Sequence, residues 1–93
     1  MVVGILTIEI EIPGAMSLKD KRSVLNSIRS RIRQKFNVAF AETDDHEIWN
    51  ASSISLVTVS NEQQHVNSML TNILNFIDQM RNFHVVDSTM EFI

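Results

Sequence analysis

The chain has 93 residues, 44% of them apolar, and eight Lys and Arg against eleven Asp and Glu, for a net charge of −3 with no cysteine. That length allows a single domain, residues 1–93, burying somewhat over about 60% of the surface its unfolded chain exposes, and excludes a second one. Without cysteine there is neither a disulfide framework nor a thiolate metal site, so the chain is indifferent to redox compartment and the cytoplasm is the simplest expectation. The start, MVVGILTIEIEI, lacks the basic n-region and long apolar core of a signal peptide, and no run approaches the roughly 18 apolar residues of a membrane span.

Val2 to Ile12 alternates and is rich in β-branched residues, the period of two that marks a half-buried strand. Leu6, Ile8, Ile10 and Ile12 share one face. Val3, Ile5, Thr7, Glu9 and Glu11 share the other, which is therefore apolar at one end and acidic at the other. Pro13 and Gly14 end the strand and turn the chain.

Ser17 to Lys35 follows, and the chain is organised around it. Ser17 with Asp20 three residues on is a capping-box pattern, and the acid stands where the helix dipole favours negative charge. Leu18, Val24, Leu25, Ile28, Ile32 and Phe36 fall on one face at three-and-four spacing, so that face is buried. Lys19, Arg22, Arg29 and Arg33 fall within one arc at roughly 100° per residue, while Arg31 and Lys35 lie on the other side of the stripe. Lys21 projects toward the apolar side, and the expectation is that it snorkels, stem buried and ammonium wet. The segment holds seven bases and one acid, net +6, while the remainder holds Arg81 and ten acids, net −9. The chain is thus polarised, and screening over roughly 8–10 Å lets a basic face act apart from a remote acidic one.

Asn37 to Thr43 reads as a short strand with Val38 and Phe40 toward the core, and Asn37 as a helix-ending residue in the left-handed conformation. Asp44 to Asn50 is an acidic connection whose Trp49 is expected to close the loop over the core edge or to join an interface. Ser53 to Ser60 is the third strand. A second helix capped by Ser60 or Asn61 buries Val66, Leu70, Ile73, Ile77 and Met80, flanked by Met69 and Leu74. Its outer side, with Asn67, Ser68, Thr71, Asn72 and Asn75, is polar but nearly uncharged. The last strand runs from about Phe83 to the end.

The order β-α-β-β-α-β, with helical crossovers, fits an α+β ferredoxin-like sandwich: four antiparallel strands, both helices on one face, and the first and third strands in the centre. Such a fold hosts many functions. Asp44, Asp45, His46 and Glu47 are consecutive and lack a glycine, so they do not wrap a metal ion. His46, His65 and His84 sit in different elements, no serine occupies a nucleophile elbow, and IPGAMSLK has no P-loop spacing. A phosphatase on this fold needs a basic residue in that turn, and none precedes Lys19. Catalytic residues, metal ligands and cofactors are accordingly none. The open sheet face lacks the aromatics on which RNA-reading sheets stack bases, and its glutamates repel phosphate. Nucleic acid is therefore expected at the first helix, on Lys19, Lys21, Arg22, Arg29 and Arg33. Val3, Ile5, Val57 and Val59 are expected to share an exposed apolar patch on the sheet, which marks an interface and favours a homo-oligomer.

The opening VVGILTIEIEIPGAMSLKDKRSVLNSI, the phrase NVAFAETDDHEIWNASSISLVTVSN and the helix that follows resemble the YlxP-like family of small bacterial proteins of unknown function. The most specific matches are Ser17 to Arg22, the Asn37, Val38, Ala39, Ala41, Glu42 phrase, Trp49, and Val59 to Asn61. The resemblance implies a ferredoxin-like fold. It also implies a role around the small ribosomal subunit or its RNA, because the family's genes often lie beside those of translation initiation factor two and ribosome-binding factor A. It supplies no catalytic residues. The Asn-rich second helix and the DDHE connection depart from the family's usual pattern. The leading expectation is a non-enzymatic cytoplasmic protein associated with ribosomal RNA or the small subunit; the alternative is a dimeric adaptor or small-molecule sensor built on the open sheet.

Overall fold

A computed structural model describes all 93 residues, Met1 to Ile93. The elements are β1 (Val2–Glu11), α1 (Leu18–Lys35), β2 (Ala39–Asp44), β3 (Ala51–Ser60), α2 (Gln63–Asp78) and β4 (His84–Phe92). They form one antiparallel sheet in the order β2-β3-β1-β4. This is the ferredoxin-like α+β arrangement, with the two most apolar strands in the middle.

The period of two in β1 does what alternation requires: Leu6, Ile8 and Ile10 are at most 1% exposed, while Glu9 and Glu11 face solvent. They join Ile54 and Leu56 of β3 in one core with Leu25, Ile28 and Ile32 of α1 and Val66, Leu70, Ile73 and Ile77 of α2. Both helices therefore cover the same side of the sheet, and the side carrying Val3, Thr7 and Glu9 has no layer over it. α2 packs directly on β1 at Gly4, where a Cβ atom would run into Val66 Cγ1 and lie 2.9 Å from Leu70 Cδ1.

The capping of α1 follows the sequence pattern. Ser17 Oγ accepts from the Asp20 amide at 3.1 Å, and Asp20 Oδ2 accepts from the Met16 amide at 2.9 Å. Its end differs from expectation: the helix closes at Phe36 in extended conformation, and Asn37 is not left-handed. The positive φ angles belong to Asp45 and Asn82, in the turns after β2 and α2. α2 is capped at Glu62 without a side-chain bond, and not at Ser60 or Asn61 as expected; Ser60 is still paired with Val2 in the ladder. Trp49 does not close over the core; it is 51% exposed, beside Ile48 at 45%.

Replacing Gly4 with Ala drives a methyl group into Val66 and is expected to cost about 1–3 kcal/mol, as overpacking does. Gly14, with nothing within 4 Å of its Cβ position, serves as the control. Urea midpoints should fall for Gly4→Ala and stay near wild type for Gly14→Ala.

Candidate nucleic-acid interface

The basic residues of α1 divide into three sets by where the helix turns them. Lys21 belongs to the buried stripe: with Leu25, Ile28 and Ile32 it makes up the helix's buried residues, at spacings of four, three and four. It is 1% exposed. The expected wet ammonium is therefore corrected, and Lys21 is withdrawn from the phosphate-contacting set, since no ligand reaches it. Its Nζ is 2.8 Å from Glu42 Oε2 and donates to the carbonyls of Asp45 at 2.7 Å, Ala51 at 3.4 Å and His46 at 3.5 Å. A single dehydrated ammonium thus joins α1 to the end of β2, the β2–β3 connection and the start of β3.

Glu42 is positioned by a β-bulge. The β2–β3 register shifts between Glu42 and Asp44, bending the strand beside the carboxylate. Ser52 Oγ donates to Glu42 Oε2 at 2.6 Å, and the His46 ring nitrogen meets the Glu42 carbonyl at 3.1 Å. Burial by itself would raise the Glu42 carboxyl, but the hydrogen bonds from Lys21 and Ser52 and the charges of Lys21 and His46 outweigh it and hold the group below its ordinary value of 4.5. The acidic connection is also tied to itself: the Asp45 amide donates to Asp44 Oδ1 at 2.8 Å, and Asp45 stands at φ 62°. Asp45 and His46 thus face the lysine through their carbonyls.

The second set is the outer flank. Lys19, Arg22 and Arg33 are exposed, and Arg29 is half-buried. Over the 14 residues from Lys19 to Arg33 the helix rises about 21 Å. Arg29 lies flat against β2, its Cζ 5.2 Å from the Phe40 ring centroid and its Nε enclosed without a hydrogen-bond partner. The third set, Arg31 and Lys35, leans the other way, toward α2. The Arg31 Cζ and the Lys35 Nζ are 5.7 Å and 4.6 Å from the Phe76 ring centroid. Lys21–Glu42 is the chain's one ion pair, so none of these six cations is neutralised by a carboxylate of the chain.

The sheet's uncovered side gathers the other predicted residues. Val3 is opposite Val59 and Ile5 opposite Val57 in the β1–β3 ladder. Ile93, which the sequence reading did not assign to the patch, completes the row by exchanging both backbone hydrogen bonds with Val3 at 2.8 Å. Val59 and Ile93 are 57% and 74% exposed. Further along, Thr7, Ser55 and Thr43 form a chain of hydroxyls at 3.3 and 2.9 Å. The far end is acidic, with Glu9 opposite Asp87.

A family model described as "Protein of unknown function (DUF503)" matches residues 3–90. The chain belongs to this family. It is also 36% identical over 76 residues to the uncharacterised protein YlxP of Bacillus subtilis (strain 168), a match covering 82% of this chain and 83% of that protein. In this DUF503 chain, Ser17, Asp20, Lys21 and Glu42 act together: the first two fix where α1 starts, and the second two fix what its first turns pack against. No helix is long and apolar enough to cross a membrane.

Removing the ammonium takes one donor from three carbonyls and a carboxylate, although Ser52 still donates to Glu42 and the Ile48 amide to the Asp45 carbonyl. Lys21→Met is expected to lose roughly 3 kcal/mol, the low end for a broken buried pair because Glu42 keeps some contact with water; chemical denaturation measures it. The Glu42 proton gives the pH dependence. Its folded form binds a proton less tightly than its unfolded form, so its contribution is complete above about pH 4.5 and is lost as pH falls through the lower folded value. Urea midpoints taken from about pH 6 down to about pH 3 should drop more steeply for wild type than for Glu42→Gln.

Proposed function

We propose that this protein is a non-enzymatic, cytoplasmic RNA-binding accessory of the small ribosomal subunit, working through the outer flank of α1. The observation that carries this reading is the row of Lys19, Arg22, Arg29 and Arg33, unpaired with any carboxylate along about 21 Å of helix. Cations held at fixed spacing on a rigid element neutralise phosphates without reading bases, which suits recognition of a structured RNA by its shape. About four such contacts give a salt slope near −3, so affinity should fall on the order of a hundredfold between about 50 and 200 mM salt. The acidic end of the sheet keeps RNA off the opposite side of the molecule. The family resemblance, with its genomic setting beside translation factors, points the same way.

The test is binding of small subunits and of structured ribosomal RNA by wild type and by a Lys19→Glu, Arg22→Glu, Arg33→Glu variant. These three positions are exposed, whereas a carboxylate at Arg29 would be pressed against Phe40. The variant should lose at least tenfold in affinity with an unchanged circular-dichroism spectrum. Equal binding by both proteins, or none by either, refutes the proposal.

A second reading, a dimeric adaptor or sensor using the open sheet, is favoured by the Val59–Val3–Ile93 row, which exposes contiguous apolar side chains across three strands. Sedimentation decides it: wild type should be dimeric and Ile5→Asp monomeric, and a wild type that stays monomeric at high micromolar concentration removes it.

A further inference from the structure

The seven bases of the first helical segment have one counterpart elsewhere, Arg81, and the fold returns it to α1. A hollow of about 420 Å³ between α1 and the turn after α2 is lined by Arg31 and Arg81 together with Ser27, Gln79 and Asn82. A second, of about 300 Å³, is lined by Lys35, Phe76, Asn72, Asn75 and Gln79. Gln79 borders both, so the two hollows adjoin along the seam between the helices and make up an interhelical groove interrupted at most by that one side chain. Arg31 and Lys35 stand on the α1 side, and Arg81 faces them from the turn after α2. The α2 side is a row of amides from that helix's uncharged face, and Phe36 and Phe76, packed edge to face at 5.8 Å, border the floor of the groove. Asp20 and Asp78 line neighbouring hollows, and neither pairs with a groove cation.

We infer that this interhelical groove binds single-stranded RNA, its phosphates held by Arg31, Lys35 and Arg81. The inference rests on the RNA-binding reading above and adds to it a second surface for unpaired strands, distinct from the outer flank. Charge and shape select the occupant. The acidic residues of β1 and β4 lie on the opposite side of the sheet, and of the nearer acids, Asp20 and Asp78, neither pairs with Arg31, Lys35 or Arg81, so positive charge outnumbers negative here. The two adjoining hollows are open to solvent and follow one another along the helices, which suits a chain and not a compact ligand. Single-strand binders combine a basic track with an aromatic surface for the base, and the groove offers both. A base laid against Phe76 takes the ring face that Lys35 now covers, and frees that ammonium for the adjoining phosphate. Asn72, Asn75 and Gln79 offer donors and acceptors together, which satisfies a ribose 2′-hydroxyl and base edges alike.

Fluorescence anisotropy with a ten-nucleotide oligouridylate, its thymidylate analogue and uridine monophosphate tests this, using the full chain and the variants Arg31→Glu/Arg81→Glu and Asn75→Asp. Arg31, Arg81 and Asn75 are exposed, and circular dichroism confirms the fold of each variant. Three phosphate contacts on a single strand give a slope near −2, so wild-type affinity for the oligouridylate should fall about twentyfold between about 50 and 200 mM salt. The double variant should lose at least tenfold and Asn75→Asp at least threefold. The outer-flank triple variant should stay within threefold of wild type on this probe. The thymidylate should bind more weakly than the uridylate, and the monophosphate should not compete at equal nucleotide concentration.

A double variant that binds the oligouridylate like wild type, or a wild type that binds small subunits but not this probe, overturns the groove and leaves the flank proposal standing. Competition by the monophosphate, or equal affinity for the thymidylate, overturns the assignment to an RNA strand. Failure of wild type to bind any RNA overturns both proposals.

Discussion

The placement of the Lys21 ammonium is the constraint on which the rest of the structure depends. An amine at 1% exposure, bonded to a carboxylate and to carbonyls on three segments, is tolerated only because each of its donors is used. Once it is in place, the start of α1, the end of β2 and the start of β3 cannot shift independently. The stripe that begins with Lys21 continues through Leu25, Ile28 and Ile32, so fixing its first member also fixes the rotation of the helix about its axis. That rotation sends Lys19, Arg22, Arg29 and Arg33 to one side and Arg31 and Lys35 to the other.

Sequence and structure therefore agree on the framework for a physical reason. Alternation in β1, the three-and-four stripe of α1 and the apolar face of α2 are local patterns, and each can be buried in one way only. What the sequence hid was pairing between elements. Lys21 stands at a stripe position, four before Leu25, and Glu42 stands two after Phe40, on the core side of its strand. Each looks misplaced by itself. Taken together, two opposite charges at core positions of elements that the fold brings together are the mark of a buried pair, and that mark was legible once the topology was known. The bulge after Glu42 and the strand register were less legible. A last strand running to the end of the chain places Ile93 in the sheet, but only its backbone exchange with Val3 puts it in the apolar row. Arg81, the one base outside the first helical segment, has no local pattern that relates it to α1; the turn carrying Asn82 at φ 78° sets it on the rim of a hollow it shares with Arg31.

The electrostatic layout follows from this division. Glu9, Asp87 and Glu91 stand on the uncovered side of the sheet and six cations without a carboxylate partner stand on α1, so a chain of net charge −3 carries these opposite charges on different sides. The apolar row of Val59, Val3 and Ile93 shares the uncovered side with these acids.

The contact at Gly4 carries a consequence for how such a chain drifts over time. Strand position 4 and helix position 66 share one small volume, and the missing methyl group of the first is filled by the branched side chain of the second. Any lineage that acquires a larger residue at position 4 has to trim position 66 in the same step or lift the helix away from the sheet. The two sites are thus bound to vary as a couple, an interdependence written by packing alone.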